Sequence, residues 1–112
     1  MGKRKTRPSV TASSGNVFAD LGLPHADERQ TKVRLAVAIN RIVARQRLSQ
    51  TAAARRLGVS QPKVSALANY QLRGFSVERL IRFLTALGRD VEIVLRDGPG
   101  PRKTGKITVK AA

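Results

Sequence analysis

The sequence predicts a mainly α-helical domain that contains a helical bundle and ends in one β-strand. Between residues 16 and 88, apolar residues recur at the three- and four-residue spacing of amphipathic helices, with Ser or Gly at the segment boundaries. Over residues 90–97 the spacing changes to two, which is typical of a strand. A chain of 112 residues is long enough for one small domain with a single hydrophobic core.

Both ends of the chain are expected to lie outside this domain. They are basic, contain no acidic residue, and are rich in Ser, Thr, Gly and Pro. Such segments bury too little apolar surface to offset the entropy that ordering would cost. We therefore expect a disordered basic arm over 1–15, a folded domain over 16–97 and a flexible basic tail over 98–112.

The charge of the chain indicates a polyanionic partner. Lys and Arg number 22 and Asp and Glu 7, and residues 10–97 alone hold 14 basic and 7 acidic residues. This surplus favours nucleic acid first and an anionic membrane surface second. No apolar run approaches the roughly 20 residues of a membrane span. Cysteine is absent, which excludes disulfides and thiolate metal sites and fits a reducing cytosol.

The first half of the domain is predicted to form a short helical turn and then a long helix. The turn covers residues 16–24, with Asn16 as its N-cap and Pro24 beyond its end. The long helix runs from Asp27 to Arg47, with acidic residues in its first turn and basic residues in its last, as the helix dipole favours. Its apolar stripe consists of Leu35, Ile39, Ile42 and Val43.

Three shorter helices are predicted to follow. Ser49 caps the segment QTAAARRL, and Gly58 ends it in the left-handed conformation that closes many helices. The next helix continues to about Asn69. Ser76 caps the last helix, which Gly88 terminates. The apolar face of this last helix consists of Leu80, Ile81, Leu84 and Leu87.

Pro62 stands near the start of the predicted helix that continues to about Asn69. Two residues can serve as the N-cap of that helix. The first helical turn has N–H groups without an intrahelical acceptor, so a missing N–H costs little there. If Ser60 is the cap, Pro62 is the second helical residue. If Gln61 is the cap, Pro62 takes the favoured first helical position.

The predicted strand over 90–97 needs a hydrogen-bonding partner. Val91, Ile93 and Leu95 alternate with other residues, and a lone strand leaves its backbone groups unpaired. The partner is either the segment at 106–110, folded back as a hairpin, or the same strand of a second subunit. We favour the second subunit because the Gly- and Pro-rich connection suits a tight hairpin poorly. The predicted dimer contacts are Val91, Ile93, Val94 and Leu95.

The stretch from Gln50 to Asn69 carries a helix-turn-helix pattern. Two short helices are joined by three residues, and this close crossing requires a small side chain at Ala54 and a flexible backbone at Gly58. Four apolar positions point inward in this pattern, and the positions between them are polar. The inward residues are Leu57, Val59, Val64 and Leu67.

The segment LSQTAAARRLGVSQPKVSAL resembles the XRE, or lambda-repressor-like, helix-turn-helix family. Over residues 13–97 the chain is similar, more narrowly, to the HigA-type antitoxins of bacterial toxin–antitoxin pairs. This resemblance implies a homodimeric, operator-binding protein of the bacterial cytoplasm with a lambda-repressor-like helical fold. It also implies a partner toxin of the RelE/HigB kind and repression of the pair's own promoter.

In a helix-turn-helix protein the second helix lies in the major groove and its N-terminal residues face base edges. Gln61 presents an amide that suits adenine, Lys63 reaches guanine acceptors or a phosphate, and Ala66 suits a thymine methyl. The full outward set is Ser60, Gln61, Pro62, Lys63, Ser65 and Ala66.

Phosphate contacts are expected on both sides of that helix. The resemblance implies that Gln50 and Asn69 hold phosphates, and Arg55, Arg56 and Arg73 are expected to add further contacts. Arg55 and Arg56 have an alternative role as solvated surface charge.

Three functions stay open from the sequence. RelE-like toxins are basic, so a toxin-binding face on this basic chain would be local and largely apolar, around Val17, Phe18, Asp20 and Leu21. A stand-alone repressor of the same family is the first alternative, and a small basic RNA-associated protein is the second. We find no nucleophile–base pair, metal set or phosphate loop, and therefore expect no enzyme activity, no metal and no cofactor.

Overall fold

The structure is a computed structural model that describes residues 25–98, 100 and 105–111 and forms four α-helices there. Helix α1 covers His25–Arg45, α2 covers Gln50–Leu57, α3 covers Gln61–Ala68 and α4 covers Val77–Ala86. The predicted basic arm and the helical turn over 16–24 lie outside the described residues. Among the helices described, none combines the length and the apolar character that crossing a membrane requires.

Helix α1 begins and ends two residues earlier than predicted. Arg47 adopts a left-handed conformation with φ 57° and leaves the helix. The N–H of Leu48 then donates to the carbonyl of Val43 at 3.0 Å, which closes the helix end. The charges agree with the helix dipole, since Asp27 and Glu28 stand in the first turn and Arg45 in the last.

Serine hydroxyls begin the other three helices, as predicted for Ser49 and Ser76 and as one of two alternatives for Ser60. Ser49 accepts a hydrogen bond from the N–H of Ala52 at 3.0 Å, and Ser76 accepts one from Arg79 at 3.1 Å. Ser60 accepts a longer one, 3.4 Å, from the N–H of Lys63. Of the two alternative N-caps, Ser60 is therefore confirmed, and the proline is the second residue of α3.

The main core lies where α1 packs against α4. Ile39 and Leu80 are fully buried at its centre, and the rings of Phe75 and Phe83 meet edge to face with centroids 5.9 Å apart. Burying each such side chain contributes about 1.5–3 kcal/mol. The buried members of this core are Leu35, Ala36, Ile39, Ile42, Leu57, Leu67, Leu72, Phe75, Val77, Leu80, Phe83, Leu84 and Leu87.

A second, smaller cluster joins α2 to α3. Ala53, Ala54 and Val64 are buried in it. Gly58 has φ 72°, and the N–H of the following Val59 donates to the carbonyl of Ala54 at 3.0 Å. The left-handed conformation predicted at Gly58 is thus confirmed, and Ala54 is buried where the two helices meet.

The predicted C-terminal strand is not confirmed within the described residues. Residues 90–98 and 105–110 contain no strand and form no hairpin with each other. Val91 and Val109 touch the main core, but Ile93, Val94 and Leu95 are 68%, 59% and 91% exposed. A strand exists only when its N–H and C=O groups pair with a neighbouring strand, and the described part of this single chain supplies none.

Leu57→Ala should destabilise the domain by about 2–5 kcal/mol, because the leucine is 8% exposed and part of the main core. Urea unfolding followed by far-ultraviolet circular dichroism measures the loss. Arg55→Ala, on the exposed side of the same helix, is the control and should change stability by no more than about 0.5 kcal/mol. Equal stability of Leu57→Ala and the wild type would contradict this description of the core.

Candidate nucleic-acid interface

Helix α3 is attached to the domain along one side only. Val64 and Leu67 are buried beneath it, whereas Gln61, Pro62 and Asn69 are exposed. Nδ2 of Asn40 on α1 donates to the carbonyl of Leu67 at 3.1 Å and adds a polar tie at the helix end. An α-helix about 10–12 Å wide fits the major groove of B-DNA, which is about 12 Å wide. The unattached side of α3 is therefore available to a duplex.

The N-termini of α2 and α3 differ from those of α1 and α4 in having no acidic residue nearby to offset the partial positive charge of the helix dipole. The first turns of α1 and α4 contain Asp27, Glu28 and Glu78. The first turns of α2 and α3 contain none. The partial positive charge at these two N-termini is left uncompensated, which makes both ends favourable to phosphate groups.

This electrostatic bias extends well beyond the two helix ends. From Arg29 to Val77 the chain has ten basic residues and no acidic one. The acidic side chains that form ion pairs lie at the borders of this stretch, where Glu28 meets Lys32 at 3.8 Å and Glu78 meets Arg82 at 2.9 Å. The described helix-turn-helix therefore has basic but no acidic side chains.

Most of the residues predicted to bind phosphate are exposed at the edges of this surface. Gln50 is the first residue of α2, Arg55 lies on its outer side, and Arg73 lies in the loop after α3. Asn69 is the C-cap of α3, and its Nδ2 donates to the carbonyl of Ser65 at 2.9 Å.

Arg56 is drawn away from the other predicted phosphate ligands. Its guanidinium donates to the carbonyl of Ala86 at 3.4 Å, at the C-terminal end of α4. A cation is favourable at this negative helix end. A ten-residue helix is about 15 Å long, so Arg56 stands far from the loop that precedes α4.

Lys63 turns back onto its own domain. Its Nζ donates to the carbonyl of Gly74 at 3.4 Å and lies 5.0 Å from the centroid of the Phe75 ring. Gly74 leaves room for the amine, because a Cβ there would lie 2.9 Å from it. Lys63 thus contacts the loop between α3 and α4 from the first turn of α3.

Two further positions on α3 present less surface than the pattern predicts. Ser65 is half-buried, and Ala66 is half-buried against the main core. Sequence reasoning also passed over Tyr70, an exposed aromatic residue just past the end of α3. The sequence could have drawn attention to it, because α2 and α4 are each followed by a glycine where α3 is followed by this tyrosine.

Two glycine-to-alanine substitutions should separate the roles of Gly58 and Gly74. Gly58→Ala should cost about 1–2 kcal/mol of stability, because φ 72° is strained for any residue with a Cβ. Gly74→Ala should change stability by less than about 1 kcal/mol, because the flexible end of Lys63 moves aside. Both variants replace one glycine by one alanine, so their compositions are identical. Urea unfolding measures the free energy of unfolding of each. Equal losses would show that Gly74 also meets a rigid constraint.

Comparison with known proteins agrees with this geometry. A family model described as a helix-turn-helix domain matches residues 17–96. A solved structure with the provisional name of XRE-family transcriptional regulator is 62% identical, with a TM-score of 0.75, and the match covers 80% of this chain and 100% of that one. No curated protein matches the chain significantly. The chain therefore belongs to the XRE family of helix-turn-helix proteins, which are DNA-binding transcriptional regulators.

Proposed function

We propose that this protein is a sequence-specific repressor that binds a palindromic operator as a homodimer. We further propose that it is the antitoxin of a HigB/RelE-type pair and represses its own operon from the bacterial cytoplasm. The observation that supports operator binding most directly is α3, which is buried along one side, exposed along the other and free of acidic residues in its first turn.

Base readout in this proposal depends first on Gln61. It is exposed in the first turn of α3, and its amide matches the donor and acceptor of adenine in the major groove. Pro62 beside it offers no donor, and Lys63 must first leave the carbonyl of Gly74. That departure costs little, because 3.4 Å is long for a hydrogen bond. Ser60, Ser65 and Ala66 complete the predicted base-facing set, and Gln50, Arg55, Asn69 and Arg73 the phosphate set.

Dimerisation in this proposal uses the C-terminal segment. Three consecutive large apolar residues, Ile93, Val94 and Leu95, are exposed there, and exposed apolar patches often mark contacts between proteins. A second copy of the segment would pair its backbone groups and cover these side chains. Val91, partly buried against the main core, would anchor each strand to its own domain.

The same segment supports the antitoxin role through its charge. Residues 90–97 contain three of the seven acidic residues of the chain and one arginine. Asp90, Glu92 and Asp97 are all exposed. Successive side chains of an extended segment face opposite sides. The alternation therefore places Ile93 and Leu95 on one side of the segment and Glu92 on the other. A basic toxin would find its complementary charge here.

A stand-alone repressor without a toxin is the second candidate, favoured by the strongly basic surface of the remaining described residues. Coexpression with the adjacent reading frame separates the two, since only an antitoxin should co-purify with a small basic partner. Preference for structured RNA over a palindromic duplex would instead indicate the RNA-associated alternative.

Gln61→Ala should weaken binding to an operator selected from a random duplex library by about 1–3 kcal/mol and relax specificity at one base position. The loss arises because the alanine leaves the adenine edge without its amide partner. Fluorescence anisotropy with single-base operator variants measures both effects. An equal loss on random DNA would show that Gln61 contacts the backbone and does not distinguish bases.

Leu95→Asp should shift the dimer to monomer, because it places a charge at the proposed subunit contact. Sedimentation velocity measures the shift at micromolar concentration. Thr108→Asp is the control on the other C-terminal segment and should leave the dimer intact. Dissociation by Thr108→Asp with no effect of Leu95→Asp would transfer the subunit contact to residues 106–110.

A further inference from the structure

The four described helices all end in the same backbone motif. In each, an N–H beyond the helix donates to a carbonyl five residues earlier, at 2.9–3.0 Å. The residue just before each donor is left-handed, as this motif requires. The four donor–acceptor pairs are Leu48–Val43, Val59–Ala54, Gln71–Ala66 and Arg89–Leu84. The four left-handed residues are Arg47, Gly58, Tyr70 and Gly88, with φ between 57° and 90°.

Two of these left-handed residues, Arg47 and Tyr70, are not glycine. A residue with a Cβ is strained in this conformation, and glycine is not. Arg47 has a local reason, because a cation at a helix C-terminus interacts favourably with the last carbonyls. Tyr70 is uncharged and has no such reason.

Among the described residues, no side-chain hydrogen bond offsets the strain at Tyr70. It is 45% exposed, and its hydroxyl has no hydrogen-bond partner among the described residues. The equivalent residues after α2 and α4 are glycines, so the motif itself does not require a tyrosine. Strained backbone of this kind is concentrated at functional sites, where the side chain serves a purpose other than stability.

The loop that begins at Tyr70 lies beside the surface expected to meet DNA. A turn closes within it where the N–H of Phe75 donates to the carbonyl of Leu72 at 3.0 Å. The Nζ of Lys63 lies 3.4 Å from the carbonyl oxygen of Gly74, so this loop lies alongside the first turn of α3. Because the loop borders α3, we expect it to face the sugar–phosphate backbone at the groove edge when α3 occupies a major groove.

We propose that Tyr70 is a positioning contact that donates its phenol O–H to a phosphate oxygen of the operator. This inference rests on the proposed operator binding and assigns one of its backbone contacts. Tyrosine is among the side chains that bind DNA phosphates, and such contacts set the register and depth of the recognition helix. Arg73, three residues later in the same exposed loop, supplies the charged counterpart.

Tyr70→Gly tests the assignment because stability and affinity should change in opposite directions. Removal of the strained side chain should raise the melting temperature by about 3–6 °C. Loss of a hydrogen bond to a charged group should lower affinity for the selected operator roughly tenfold or more. Differential scanning calorimetry and fluorescence anisotropy measure the two quantities on the full chain.

The salt dependence of binding identifies the kind of contact. A neutral donor releases no counterion, so the slope of log affinity against log salt should be the same for Tyr70→Gly and the wild type. Arg73→Ala should lower that slope by about 0.9, as expected for one charged phosphate contact. A lower slope for Tyr70→Gly would overturn the proposed neutral hydrogen bond.

Two control variants isolate the hydroxyl. Tyr70→Phe keeps the ring and the backbone strain, so it should lose affinity like Tyr70→Gly without a rise in melting temperature. Val33→Ala removes an equally exposed apolar side chain from α1, outside the helix-turn-helix, and should leave affinity unchanged.

The possible outcomes separate this inference from the proposed function. Wild-type affinity in Tyr70→Phe, or a lower melting temperature in Tyr70→Gly, would overturn the phosphate contact while operator binding stands. Dissociation of the dimer by Tyr70→Gly, seen by sedimentation, would overturn it in favour of a subunit contact. Failure of the wild type to select any duplex would overturn both.

Discussion

The close approach of α2 to α3 is the constraint on which the functional surface depends. Only three residues connect the two helices, so their side chains must pack directly at Ala54 and Val64. Gly58 makes that approach possible because it takes a left-handed conformation without strain. Packing along one side of α3 leaves its other side exposed, and this division between an anchored and an exposed side allows the helix to enter a groove.

The charges of the helix-turn-helix favour a negatively charged partner at the same surface. The two helices of the motif have no acidic residue in their first turns, so their N-terminal partial charges reinforce the basic side chains around them. The individual cations nevertheless differ in role. Arg56 compensates the C-terminal end of α4, and Lys63 holds the loop at Gly74, whereas Arg55 and Arg73 remain exposed. A positive surface is therefore not a uniform set of phosphate ligands.

The C-terminal segment leaves large apolar side chains exposed in the described part of the chain. Val91 joins the main core, but the next apolar residues extend into solvent, and no strand pairs with them in the described residues. Exposed backbone groups and apolar side chains in one segment favour association with another chain. A symmetric dimer would also present two copies of α3, and dimeric helix-turn-helix proteins place these about 34 Å apart on a palindromic site.

The sequence by itself determined the described helices, the serine caps at Ser49 and Ser76, the glycine turn and the apolar faces. These features depend on interactions within a few residues, and they were predicted within two residues at each boundary. Only the tertiary structure decided the left-handed ends at Arg47 and Tyr70, the contact of Lys63 with Gly74 and that of Arg56 with Ala86. Each depends on how the chain turns or packs beyond the local pattern, and no propensity or periodicity encodes it. The strand prediction lies between these cases, because its periodicity is local but its hydrogen bonds require a partner.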